Sequence, residues 1–373
     1  MQPNIQFERR GFSAGRFRTG VSLHSHTSHS REPLSTVYSF ARKIGPLRLI
    51  LAALERTLRR ATGGRPLDFS RAYWTPPMDA RDAWKLERDH IQNRLGLPAL
   101  VSLTDHDNID APMMLRVLDS LKGLPISVEW TVPYRETFFH LGVHNIRPAE
   151  ARRVMDEFKA FTACPKERAI PELLEAVATD AAVLVVLNHP HWDEKGLGYR
   201  AHCTRLAEFC HRHGAWIHAL ELNGWRRRKE NLQVMAMATE MGKPVISGGD
   251  RHGLEPNTTL NLTQASTFEE FVAEVRAGQS EVLFTTQHFE PFPVRLLQAV
   301  QDILGDHESH ALGRVRWSDR VFNVCDDGEH RALSAQWRTP LAGIRILEAG
   351  LRVLRHSGLR MAFRALARSE APL

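Results

Sequence analysis

One pattern recurs along this chain and limits what it can fold into. A short apolar, β-prone run ends in histidine, aspartate or glutamate, and this happens seven times. The runs are VSLHSH from Val21, ALVSLTDHD from Ala99, ISVEW from Ile126, FFHLGVHNI from Phe138, AAVLVVLNHPHW from Ala181, WIHALELN from Trp216 and PVISGGDRH from Pro244. On an extended backbone, residues two apart face the same way, so His24 and His26 can reach one ion. A lone His-x-His is common on surfaces; seven strand ends each offering a donor are not.

Helical stretches separate most of these runs. Glu150–Phe161, Pro171–Thr179, Arg200–His213 and Glu230–Met241 read as helices, and a further helix is expected around Phe268–Arg276. Ala181 to Leu187 is continuously apolar, as in a strand buried on both faces. Strands alternating with helices predict a parallel sheet with helical crossovers. Polar residues at the C-terminal end of every strand predict that the sheet closes, with the chemistry on that rim. The expected fold is therefore α/β, a TIM-like barrel.

With 373 residues, 43% hydrophobic and 25% charged, the chain is long enough for one barrel plus appended material. The expected division is a barrel over residues 1–290, with a helical insertion at about 33–95, and a basic helical extension over 291–373. In the insertion, Ile44, Leu47, Leu51, Leu54 and Leu58 have helical spacing, and Asp79 is placed to cap a second helix running to about Leu95. In the extension, Leu341, Ile344, Leu347, Leu351 and Leu354 repeat likewise. Both stretches are rich in arginine, which suits packing on the domain or an anionic surface partner. The four cysteines form no C-x-x-C pair, consistent with reduced thiols. No signal-peptide or membrane-spanning run is evident, so the expectation is a cytoplasmic protein.

The candidate metal ligands are His24, His26, His106, Glu129, His140, His189, Asp250 and His252, with Glu32 as a ninth folded back from the loop after strand one. His144 shares a face with His140 and is an alternative to it. One tetrahedral zinc takes four ligands, so this many nitrogen and oxygen donors suits two or three divalent ions. Imidazole and carboxylate without thiolate suits zinc, manganese or iron. Glu129 and Asp250 are the natural bridges, since a carboxylate can give one oxygen to each of two cations. Asp105 and Asn223 are placed to orient ligand imidazoles.

These motifs, in this order, resemble those of the PHP (polymerase and histidinol phosphatase) family across roughly residues 18 to 290. LHSHT is similar to its first motif, LTDHD to its second, VEW with FHLGV to its third, NHP to its fourth and GGDRH to its last. The resemblance implies a distorted (β/α)7 barrel with a metal cluster, usually trinuclear, acting mainly on phosphoesters. It implies that His24, His26, His106, Glu129, His140, His189, Asp250 and His252 are ligands. The chain departs from the family in reading SHSREP, where many members have Ser-Asp-Gly, and in its long insertion after the first motif.

The expected activity is hydrolysis of a phosphorylated small molecule, or of a nucleotide or oligonucleotide end, by a metal-bound hydroxide. Asp105 and Arg251 are the candidate catalytic residues beside the cluster. Arg226, Arg227 and Arg228, after the sixth strand, are candidates for binding substrate phosphate. Two other classes compete: an amidohydrolase-type C–N hydrolase, which also uses His-x-His on strand one, and a non-catalytic binding scaffold. The TDH motif and His252 speak against the first, and the retained donors against the second.

Overall fold

The computed structural model describes residues 4–8, 12–35, 71–279 and 281–336, with the single positions 48, 52, 55, 56 and 349. The chain divides into two compact units. One is Met1–Ser30, Met78–Phe292 and Ser369–Leu373; the other is Arg31–Pro77 and Pro293–Arg368.

The first unit opens with β1 (Ile5–Phe7) and β2 (Thr19–Ser22), while β3 (Glu32–Pro33) and β4 (Ala72–Trp74) belong to the second. The first unit then resumes with α1 (Ala80–Leu95), β5 (Ala99–Val101), α2 (Asp110–Leu115), β6 (Ile126–Tyr134) and β7 (Thr137–Ile146). Next come α3 (Ala151–Ala163), α4 (Ile170–Ala178), β8 (Leu184–Asn188), α5 (Tyr199–His213), β9 (Ala219–Asn223) and α6 (Arg228–Met241). It ends with β10 (Val245–Gly248), β11 (Thr259–Thr263), α7 (Phe268–Arg276) and β12 (Glu281–Phe284).

The chain is a mixed α/β protein, but the expected closed barrel is replaced by two five-stranded sheets, ordered β1-β12-β11-β2-β5 and β10-β9-β8-β7-β6. Neither closes on itself. Their strand ends meet at two isolated bridges, Ser25 with Arg251 and His106 with Glu129. The reason lies in strand length: β5 ends at Val101, so its continuation reaches β6 as loop and no ladder forms. The all-parallel expectation also gives way. Pairing is parallel for β2–β5, β8–β9 and β9–β10, but β7 runs antiparallel to both of its neighbours, β6 and β8. The two-residue turn Arg135-Glu136 forces the reversal between β6 and β7, with Arg135 in the left-handed region (φ 53°).

All five residues of β8 are buried, as its apolar run predicts. Below β6, α3 buries Val154, Met155, Phe158 and Phe161, and Phe158 stacks on Trp130 with centroids 3.9 Å apart. Each such side chain contributes roughly 1.5–3 kcal/mol by leaving water. At the start of α1 the Asp79 carboxylate accepts from Asp82 N, as expected of an N-cap, and Gly96 (φ 68°) ends the helix.

The second unit holds a four-stranded sheet, β14-β13-β4-β3, where β13 is Val321–Val324 and β14 is His330–Ala332. It also carries α8 (Phe292–Ile303), whose first residue belongs to the first unit, and the short α9 (Leu333–Gln336). Tyr73 stacks on Phe322, and Arg320 donates to the carbonyls of Ile303, Gly305, Arg314 and Val315. The predicted helices through Leu47–Leu58 and Leu341–Leu354 lie outside the described residues. Among those described, no helix is long and apolar enough to cross a membrane.

Candidate metal centre

The loops after β2, β5, β8 and β10, with Glu129 inside β6 and His140 in the first half of β7, bring the eight ligands predicted in the first unit together around Glu129. Its Oε2 lies 2.9 Å from Nε2 of His24, 3.2 Å from Nε2 of His26 and 3.4 Å from Nδ1 of His106. Its Oε1 lies 3.1 Å from Nε2 of His189 and 3.7 Å from Nδ1 of His140. Oδ1 of Asp250 is 3.7 Å from His24, 3.6 Å from His26 and 3.6 Å from His252. The His252 ring stacks on His26 with centroids 4.2 Å apart. Three overlapping trios, His24/His26/Glu129, His24/His189/Asp250 and His106/Glu129/His140, each place their donor atoms within 4.8 Å of one another.

The backbone is bent to achieve this. His24 (φ 63°), His189 (φ 27°) and Asp250 (φ 55°) all have positive φ, unfavourable for side chains with a Cβ. Such strain, of order 1–3 kcal/mol each, persists where the surroundings over-determine it and gathers at functional sites. Here the surroundings are hydrogen bonds between the first and last motifs. Gly249 N donates to Leu23 O, Asp250 N to His24 O, and His26 N to Arg251 O.

A further carboxylate positions the ligands. Glu221 Oε1 meets Nδ1 of His24 at 2.5 Å, while its Oε2 accepts from His189 N at 2.8 Å and from Asn223 Nδ2 at 3.0 Å. The sequence places Glu221 at the end of the sixth run but not among the expected ligands. The available signal was its spacing of two from Asn223, which puts both on one face of β9. Gly248 makes room for it, since a Cβ there would sit 1.6 Å from Glu221 Oε1. Gly249 does the same for Asn257, whose Oδ1 would lie 1.6 Å from an added Cβ.

Burial disfavours charge at Glu129, Asp250 and His24, yet mutual attraction prevails at all three. Glu129 is held well below the usual carboxylate range by His24, His106 and His140. Asp250 is likewise held well below, by His26, His24 and Arg226. His24 is raised well above the ordinary histidine value by Glu129 and Glu221. His140, by contrast, is pushed well down by burial. The carboxylates are therefore ionised, the form that ligates metal, and a cation binding His24 would displace its proton.

Of the other predicted residues, Glu32 lies on β3 in the second unit. His144 is turned to Ser102 Oγ at 2.9 Å, so His140 is the histidine of β7 that joins the cluster. Both oxygens of Asp105 are bound by Thr27, one by its N–H and one by its hydroxyl at 2.7 Å. The Arg251 guanidinium is buried, donating to Glu87 Oε1 (3.0 Å), Gly253 O (2.9 Å) and His26 O (3.2 Å). Arg226 pairs with Oδ2 of Asp250 at 2.9 Å and lies over the Trp192 ring. Arg227 lies over Phe292, and Arg228 begins α6.

The donor set fits divalent cations. His24 Nε2 and Glu129 Oε2 are buried 2.9 Å apart without a well-directed hydrogen bond between them. A shared cation would satisfy both once the imidazole gives up its proton. The fold and site thus define a mixed α/β protein with a buried imidazole–carboxylate centre suited to divalent metal.

No family model and no curated protein matches the chain. Among solved structures, PsfC from Pseudomonas syringae is 16% identical with a TM-score of 0.38, over 57% of this chain and 86% of that one. An amidohydrolase from Chromobacterium violaceum, with bound sulfate and no metal, is 16% identical with a TM-score of 0.33, over 48% and 83%. A protein described as a candidate metal-dependent phosphoesterase from Bifidobacterium adolescentis is 14% identical with a TM-score of 0.32, over 54% and 92%. Likeness of this degree fixes neither fold nor chemistry.

Proposed function

We propose that this chain is a metal-dependent hydrolase of the PHP type, cleaving a phosphate ester of a small molecule. The observation that carries the reading is Glu129, a buried carboxylate with imidazole nitrogens facing both of its oxygens. In the fold that goes with it, β2, β5, β6, β7, β8, β9 and β10 form a distorted TIM-like barrel, with the two single bridges as its open seams. Glu129, with His24, His26, His106, His140, His189, Asp250 and His252, would hold a set of two or three divalent ions of zinc, manganese or iron. Bound ions would supply Lewis acidity, activating water near neutral pH and neutralising charge that gathers on phosphoryl oxygens.

The other residues hold this arrangement. Asp105 fixes the turn after His26 through Thr27, and Arg251 fixes the carbonyl of His26, so both act by position and neither touches substrate. Arg227 and Arg228 stand at the start of α6, where a substrate anion would meet positive charge.

Elemental analysis of the purified protein, beside His24→Ala and Asp250→Ala, tests the reading. Two or three equivalents of metal are expected, falling in both variants, together with turnover of phosphomonoesters. Less than about half an equivalent after reconstitution with each metal would sink it. Diester, oligonucleotide-end and amide substrates in the same panel separate the neighbouring activities.

A further inference from the structure

The two oxygens of Asp250 face different worlds. Oδ1 looks towards His24, His26 and His252, at 3.7, 3.6 and 3.6 Å. Oδ2 is turned away from them and takes Arg226 Nη2 at 2.9 Å and Asn223 Nδ2 at 3.3 Å. A carboxylate free to rotate would present either oxygen, or both, to a cation. Here one oxygen is held by donors, and only the other is left for the imidazole side.

What holds Arg226 in place is Trp192. The guanidinium carbon lies 4.0 Å from the centroid of the indole, a distance for flat stacking. Trp192 in turn belongs to the turn that begins at the candidate ligand His189, for Trp192 N donates to His189 O at 2.9 Å. The loop beyond is tied down by Asp193, whose carboxylate accepts from Leu197 N and Gly198 N. The backbone leading to Arg226 is equally fixed. Gly224 N donates to Gly248 O at 2.8 Å, and Arg226 N to Asn223 O at 3.2 Å. Asn223 itself is locked to Asn231 by a reciprocal pair of hydrogen bonds. The backbone on both sides of the stack is thus held by hydrogen bonds.

We propose that Arg226, stacked on Trp192, is a positioning residue for the metal centre: it fixes the Asp250 carboxylate so that Oδ1 alone ligates. Trp192 thereby couples the loop after β8 to the ligand carried by the loop after β10. The inference rests on the metal-centre reading above and alters one part of it. Arg226 serves the ligand, and the substrate anion falls to its neighbours. The physical basis is general, since groups that hydrogen-bond a ligand's second atom set its orientation and typically tune affinity by 10–100-fold.

The test is binding of Mn2+ alone to the metal-free, full-length protein, by calorimetry and by competition with a chelating dye. Arg226→Met should bind about 10-fold or more weakly than the unsubstituted protein. Trp192→Ala should weaken binding by several-fold in the same direction, and Trp192→Phe should restore it, because the flat platform returns. Urea denaturation of the metal-free proteins identifies any variant that is not folded, and Arg226→Gln then replaces Arg226→Met. Mn2+ affinity within twofold of the unsubstituted protein in folded Arg226 variants overturns the proposal, whatever happens to KM. If the unsubstituted protein itself binds no metal, the metal-centre reading falls, and this inference with it. The two failures are therefore told apart by one titration.

Discussion

Glu129 can stand among five imidazoles because the chain places beside it the groups that keep each of them aimed. Glu221 does most for His24 and His189, receiving the far nitrogen of one ring and the backbone N–H of the other residue. Glu221→Gln keeps the size but removes the charge and one acceptor. Metal affinity should fall about 10–100-fold, with the fold retained, as read by chelator competition and circular dichroism. Gly248→Ala should imitate it, since the new Cβ would displace the same carboxylate. If both variants bind metal as the unsubstituted protein does, Glu221 has no positioning role. At this scale the sequence was most legible where ligands obey a period of two. His24 with His26 and Asp250 with His252 could be read directly. Arg251 could not be, because its partner Glu87 is far away along the chain, and adjacency to Asp250 suggested a place in the chemistry. The pairing of Trp192 with Arg226 was hidden for the same reason.

Elements were read well where their ends carry chemical punctuation. Helix α7 begins at a reciprocal capping box, in which Glu270 N donates to Thr267 Oγ1 and the Glu270 carboxylate accepts from Thr267 N. Its predicted span, Phe268–Arg276, is the one observed. Thr267→Ala should cost about 1 kcal/mol in urea denaturation while leaving metal content unchanged. A loss of metal in that variant would mean that α7 bears on the site more directly than its position suggests. Strand direction was harder to read than strand existence. The runs ISVEW and FFHLGVHNI were recognised as strands, but the hairpin between them turns on Arg135-Glu136, which lacks the Asn-Gly or Asp-Gly signature of such turns. With that signal missing, alternation of strand and helix argued for parallel pairing throughout.

At the scale of the whole molecule, sequence order could not show how the sheets would divide, because ladder length depends on contacts between distant strands. What composition did signal is a chain with 19 histidines, and several of them matter to stability away from the metal centre. Burial holds His144 down to about 3, with the charge of His24 adding to the effect, against an ordinary value of 6.5. Folded His144 therefore stays neutral while the unfolded chain takes up a proton below 6.5. In that range the unfolded state binds more protons, so stability is complete above 6.5 and declines as pH falls towards 3. Asp107 works the other way. Burial raises it to about 6, so the folded state binds the extra proton between about 6 and 3.8 and gains stability there. The total pH profile of the protein therefore masks the histidine, and the difference between two proteins reveals it. His144→Gln removes the titrating group and leaves an amide near Ser102 Oγ. Relative to the unsubstituted, metal-free protein, it should gain about 2 kcal/mol between pH 7.5 and pH 5, at roughly 1.4 kcal/mol per unit below 6.5. Urea denaturation at the two pH values measures this directly. A difference that does not change with pH would mean that His144 is protonated in the folded state, and that its burial is relieved by water or a counter-charge.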